Sequence, residues 1–162
     1  MSTKLVSVFF IVCILASCTS KDDKAPISEK DGKNVLSLPK EDQQRYNKEA
    51  TAILADFTKT LNDYSAAMVN AKTSKEAVDL MQKSYDSFLT FTPRFRMMDS
   101  LYPTITSMDS TNAEVKSHLV AFQESMFRYN EAVKDLHILF GSDPEYKKMV
   151  KEMEERNNKP LK

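Results

Sequence analysis

Two histidines, a late cluster of glutamates, nine methionines and an Arg-Phe-Arg triplet are the side chains with chemistry to offer. His118 and His137 lie many helical turns apart, with no cysteine or second histidine at ligand spacing. Zinc needs a compact set of nitrogen and sulfur ligands, so no metal ligand is assigned. Glu145, Glu152, Glu154 and Glu155 alternate with Lys147, Lys148, Lys151 and Arg156 and read as a solvated face. None stands in the Glu-x-x-His arrangement of di-iron bundles. Gly32 and Gly141 are the only glycines, so a phosphate-cradling loop is excluded. No serine sits in a nucleophile elbow. The expectation is a non-enzyme with no catalytic residue and no cofactor. The thioethers of Met68, Met81, Met97, Met98, Met108, Met126, Met149 and Met153 suit Cu(I) by chemistry. Most fall on inward stripes, where methionine fills core gaps or lines an adaptable groove.

Pro93-Arg94-Phe95-Arg96 is the most site-like stretch. Two guanidiniums flank an aromatic ring just beyond an expected helix break, and guanidinium grips carboxylate or phosphate bidentately. Arginine and aromatic residues carry much of the energy of protein interfaces. Arg94, Phe95, Arg96 and Tyr102 are therefore the candidate protein-binding residues. The competing reading has Phe95 and Tyr102 closing the core while the arginines solvate its edge.

The elements that position these residues are helical. Tyr46, Ala50, Ile53, Phe57, Leu61, Tyr64, Met68 and Ala71 recur at mostly three- and four-residue spacing, one face of a long helix entered at Pro39 and capped by Ser37. Thr73-Ser74-Lys75-Glu76 is a capping box opening a second helix, so close behind that the two must be antiparallel. Its inward face is Ala77, Val78, Met81, Tyr85, Phe88 and Leu89, and Pro93 kinks it or opens a new helix capped by Thr92. Ile105 and Met108 are expected to dip inward from a connection. Thr111-Asn112-Ala113-Glu114 is a second capping box. The third helix carries Val115, Leu119, Phe122, Met126, Tyr129, Val133, Leu136 and Phe140, a heptad-like seam stopped by Gly141. Ser142-Asp143-Pro144-Glu145 restarts a short helix bearing Tyr146, Met149, Val150 and Met153. The expected fold is all-α: an antiparallel three-helix bundle with a short fourth C-terminal helix. A coiled-coil oligomer through the Val115–Phe140 seam is the alternative, disfavoured by its large Phe and Tyr residues. The expected state is a monomer.

The first residues set an address. Lys4 precedes an apolar run, Leu5 to Ile14, too short for a permanent span of roughly 20 residues. Leu15-Ala16-Ser17-Cys18 follows. This segment resembles a bacterial lipoprotein signal peptide with its lipobox, which implies cleavage of 1–17 and acylation of Cys18. Several acyl chains anchor far more firmly than one. Residues 18–38 then form a polar tether, 39–157 the bundle and 158–162 a frayed tail. With Cys13 removed and Cys18 acylated, no intramolecular disulfide is available to the domain. Ser20-Lys21-Asp22-Asp23 resembles the surface-export signal of Bacteroidota lipoproteins, which implies the outer-membrane surface, the periplasmic face being the alternative. Asp99-Ser100-Leu101 resembles the O-glycosylation sequon of the same bacteria, with Ser100 as acceptor, and Asp109-Ser110-Thr111 resembles it loosely.

Formal net charge is zero, which gives no long-range pull on nucleic acid. The partners expected are membrane lipid through Cys18 and another envelope or extracellular protein. A toxin-neutralising immunity lipoprotein and an apolar-ligand or lipid carrier are the competing functions, the latter requiring a cavity.

Overall fold

The structure is a computed structural model and describes residues 35–102 and 112–158. Cys18, Ser20, Lys21, Asp22 and Asp23 lie outside the described residues, as do Ile105, Met108, Ser110, Thr111 and the last four positions. A 3-10 turn, Val35–Ser37, leads into α1 (Lys40–Val69). The remaining helices are α2 (Ser74–Leu89), α3 (Thr92–Leu101), α4 (Ala113–Phe140) and α5 (Pro144–Asn157). The molecule is all-α, with one bent helix in the bundle and a short helix at its C-terminus. Among the described residues no helix is long and apolar enough to cross a membrane.

The helix ends show which local signals operate. Ser37 belongs to the 3-10 turn and does not cap α1. Pro39 holds the N-cap position with no side-chain bond. Gln43 closes that entry instead, its Nε2 donating to the Leu38 carbonyl at 2.7 Å. Glu41 and Asp42 complement the positive end of the helix dipole. At α2 Thr73 caps as its spacing to Glu76 predicts: Thr73 Oγ1 accepts from the Glu76 amide at 3.2 Å, and Glu76 Oε2 accepts at 2.9 Å from the amide of Lys72, one residue before the cap. The α4 cap is Asn112 rather than Thr111. Its short amide oxygen takes the Glu114 amide at 2.9 Å and the Val115 amide at 3.2 Å. Asp143 caps α5, with Pro144 in its first turn. Asp143 also accepts from the Ser74 hydroxyl, tying the starts of α2 and α5 together. Gly141 follows α4 in a right-handed conformation, φ −66°. Glycine is needed there for space, because a Cβ would run into the His137 carbonyl oxygen.

The break between α2 and α3 has a specific cause. Pro93 has no amide to continue the hydrogen-bond ladder. The chain tightens to three-residue bonds, Thr90 to Ser87 and Phe91 to Phe88, both 3.1 Å. The Phe91 carbonyl then accepts from Arg94 and Phe95. Thr92 is consequently the first helical residue and not the cap. The N-cap position falls to Phe91, which offers no side-chain bond.

Cross-helix contacts give the directions. Phe57 meets Phe122 and Asn62 bonds Arg128, so numbers rise together and α1 and α4 run parallel. Tyr64 bonds Ser87, Arg94 pairs with Asp56 and Tyr46 meets Tyr102, so α2 and α3 descend antiparallel along α1. Ser74 bonds Asp143 and Gln82 bonds Asn157, so α5 runs alongside α2 in the same direction. The α4 seam is consumed within the chain. Val115, Phe122, Tyr129 and Leu136 are buried, and Leu119, Met126, Val133 and Phe140 pack against the same core.

Phe57 is the hub. Its ring stacks on Phe91 at 4.6 Å and 10°, and it contacts Phe88, Phe122 and Phe95 at 5.1, 5.3 and 6.4 Å. Rings from α1, the α2–α3 break, α3 and α4 thus share one centre. Burying aliphatic residues such as Ile53, Leu54 and Leu61 adds about 2 kcal/mol each. A second, smaller cluster closes the end where the chain enters: Val35, Tyr46, Ala50, Ile53 and Met98. Three serines are buried with them. Ser65, Ser84 and Ser125 bond the carbonyls of Leu61, Met81 and Ala121, so their hydroxyls are not stranded.

Candidate functional site

Helix α3 carries the Arg-Phe-Arg stretch, and the fold divides those residues between its two sides. Phe95 points inward against Phe57. Met98 is buried in the end cluster, and Tyr102 meets the Tyr46 ring edge-on at 5.3 Å and 79°. Arg94 reaches across to α1. Its Nη1 donates to Asp56 Oδ2 at 2.7 Å, and Nη2 and Nε both approach Glu49 Oε1 at 3.4 Å. The hydrogen bond to Asp56 is the largest reason that its guanidinium is held above its ordinary pKa. Arg96 stands on the outer side and is exposed. The two guanidiniums therefore do not form one grip. Arg94 fastens α3 to α1, while Arg96 faces solvent.

The outer face of α3 holds more than the sequence pattern suggests. Met97 and Leu101 are 45% and 62% exposed, about one turn apart and about 40° from each other around the helix, with Arg96 about 100° further round from Met97. Adjacent Met97 and Met98 cannot both point into the core, and that pairing was the available signal. The face is held rigidly from behind by Phe95, Met98 and the Arg94 ion pairs. Burial, with Asp99 adding repulsion, pushes the Tyr46 phenol up to about 12, so the end cluster stays uncharged. Ser100 is exposed in the last turn of α3 beside exposed Asp99.

The other candidates resolve differently. His137 is half-buried, and its Nδ1 lies 2.9 Å from the Tyr146 hydroxyl. Burial lowers its pKa, with Glu154 opposing. His118 is half-buried on α4. Among the described residues no group of His, Cys, Asp and Glu side chains could hold a metal ion. The late glutamates are exposed, with Glu152 and Glu155 in long pairs to Lys148 and Lys151 at 3.9 and 3.8 Å. Met68, Met81 and Met98 are core residues, and Met126, Met149 and Met153 pack against the core. A shallow cleft of about 390 Å³ opens beside the helix break, lined by Thr60, Asp63, Tyr64, Ser87, Thr90 and Phe91. Its hydroxyls bond locally: Thr60 to the Asp56 carbonyl, Tyr64 to Ser87 at 2.8 Å, Thr90 to the Ser87 carbonyl. A carboxylate and four hydroxyls make poor walls for an acyl chain.

The outer face of α3, with Arg96, Met97 and Leu101 presented and Arg94, Phe95 and Tyr102 supporting them, is the best-formed candidate site. Comparison with known proteins supplies no relative for it: no family model, curated protein or solved structure matches the chain.

Proposed function

We propose that the chain is an outer-membrane lipoprotein, anchored through acylated Cys18, whose helical head binds another envelope or extracellular protein through the outer face of α3. The observation that supports this reading is the exposure of Met97 and Leu101 one turn apart, with Arg96 exposed further round the same outer half of a helix locked from behind. Apolar groups held in solvent by a rigid scaffold bind with little ordering cost. The chemistry fits a partner with an apolar pocket and an acidic rim. Val35 and Met98 share the end cluster, so this face lies at the end of the bundle where the tether joins. A partner seated there would sit close to the membrane.

The test uses the full-length chain in its native envelope, with a photo-crosslinking amino acid at Leu101. A discrete adduct that Arg96→Glu weakens at least tenfold supports the site. Adducts from other faces but none from Leu101 would place binding elsewhere. No adduct from any exposed position would sink the protein-binding reading. The anchor is tested separately: Cys18→Ala should move the protein from the membrane to the soluble fraction, and unchanged membrane retention would remove the lipid anchor.

A further inference from the structure

The outward side of α4 carries a line of apolar residues that the bundle leaves bare. Val120, Phe127 and Ile138 are 53%, 68% and 71% exposed. On a helix of 3.6 residues per turn they fall within about 20° of one line. That line lies opposite Phe122, Tyr129 and Leu136, which enter the core. Among the described residues, the stripe therefore packs against no other element of the chain. From Val120 to Ile138 it runs five whole turns, about 27 Å, so it stays straight along the helix.

The charges beside the stripe are sorted by side. Lys116 and Lys134 lie about 40° to one side with Gln123 about 60°, while Glu124 and Asp135 lie about 40° and 60° to the other, and Glu131 falls about 20° to the acidic side in the gap between Phe127 and Ile138. Lys134 already reaches across to its own Glu131 at 3.2 Å. This arrangement selects a partner orientation. Two copies related by a two-fold axis parallel to α4 bring unlike flanks together on both sides. Lys134 of each then stands level with Glu131 and Asp135 of the other. An antiparallel pair would set basic flank against basic and acidic against acidic.

We propose that α4 is a self-association surface on which a second copy of this chain packs parallel, matching Val120, Phe127 and Ile138 each to its own counterpart. A two-fold pair of this kind is closed and cannot propagate into fibres. Because α1 and α4 are parallel, both N-terminal segments leave the dimer at the same end. Two chains tethered to one membrane surface can therefore form it. The stripe is short, so the interface falls at the small end of the range for specific dimers and forms reversibly. This surface is separate from the outer face of α3, and the inference needs neither the partner nor the anchor proposed above.

The experiment is cysteine cross-linking of the full-length chain in whole cells, against the parent with Cys13 and Cys18 retained as background. Val120→Cys, Phe127→Cys and Ile138→Cys should each give disulfide dimers at least tenfold over that background. Leu139→Cys, exposed but about 100° away around the helix, should not. Val120→Cys mixed with Ile138→Cys, on chains of different tag length, should give no mixed species. Charge reversal adds a second reading. Lys134→Glu on the Phe127→Cys chain should abolish the dimer, and so should Glu131→Lys with Asp135→Lys. Mixing those two chains should restore it as a heterodimer, because both flanks are again complementary. The inference is overturned by dimers no stronger than the parent's or equal dimers from Leu139→Cys. It is equally overturned by a Val120–Ile138 mixed product, by failure of the mixed reversals to restore the dimer, or by Phe127→Cys joining a different protein.

Discussion

Replacing Arg94 by methionine should destabilise the fold, while replacing Arg96 by alanine should not, although the two lie two residues apart. Methionine keeps most of the aliphatic stem, so the change reads the guanidinium. Arg94 is 31% exposed and pairs with Asp56, 61% exposed, and Glu49, 35% exposed. Exposed ion pairs contribute about 0.2–1 kcal/mol each because solvent screens them. The Asp56 contact is short but wet, and the Glu49 contact is drier but long. About 1 kcal/mol for the pair of contacts is the consistent figure. In a domain of this size that lowers the melting temperature by about 4 °C. Urea unfolding of Arg94→Met, Asp56→Asn and the double variant should give a coupling of about 0.5 kcal/mol. In 1 M salt, where the Debye length is about 3 Å, the coupling should shrink. Arg96→Ala should unfold with the parent while weakening partner capture. A parent-like midpoint for Arg94→Met, or a larger loss from Arg96→Ala, would refute the division of the two arginines between fold and surface.

Phe57→Ala removes the ring shared by four others and should cost about 3–5 kcal/mol in urea unfolding, whereas Phe127→Ala should stay within about 0.5 kcal/mol. Ser84 is fully buried and bonds the Tyr129 hydroxyl at 2.7 Å. Ser84→Ala strands that phenol and should cost about 1–3 kcal/mol, and the double change with Tyr129→Phe should cost less than the two singles summed. His137 has a lowered folded pKa, so the unfolded chain binds its proton more readily. Its contribution should be intact above the ordinary value near 6.5 and lost as pH falls through the folded value, a slope that His137→Gln should flatten in pH-dependent unfolding. Tyr46 and Tyr146 are both pushed up to about 12 by burial. Stability should therefore be full below pH 10 and decline between 10 and 12, and Tyr46→Phe with Tyr146→Phe should blunt that decline.

Local spacing is enough to define the helices and most of their inward faces. The three-and-four spacing from Val115 to Phe140 is a property of one helix, and any partner that removes it from water must take that face. Pro93 ends α2 because its missing amide is local, and the Thr73 cap works for the same reason. Even the local rules slipped where neighbours compete. Ser37 lost α1 to a 3-10 turn, and Asn112 displaced Thr111 because its amide oxygen reaches the first-turn amides. Which way each charged and sulfur-bearing side chain points depends on packing between helices. Arg94 and Arg96 are alike in sequence, and only the acids of α1, some forty residues earlier, separate them. Ser84 and Ser125 look like surface residues until Tyr129, Arg128 and backbone carbonyls satisfy them in the interior. Val120, Phe127 and Ile138 are irregularities in a helical pattern until the opposite face of α4 is buried. Exposure is a relation between elements distant in the chain, and no spacing within one helix encodes it.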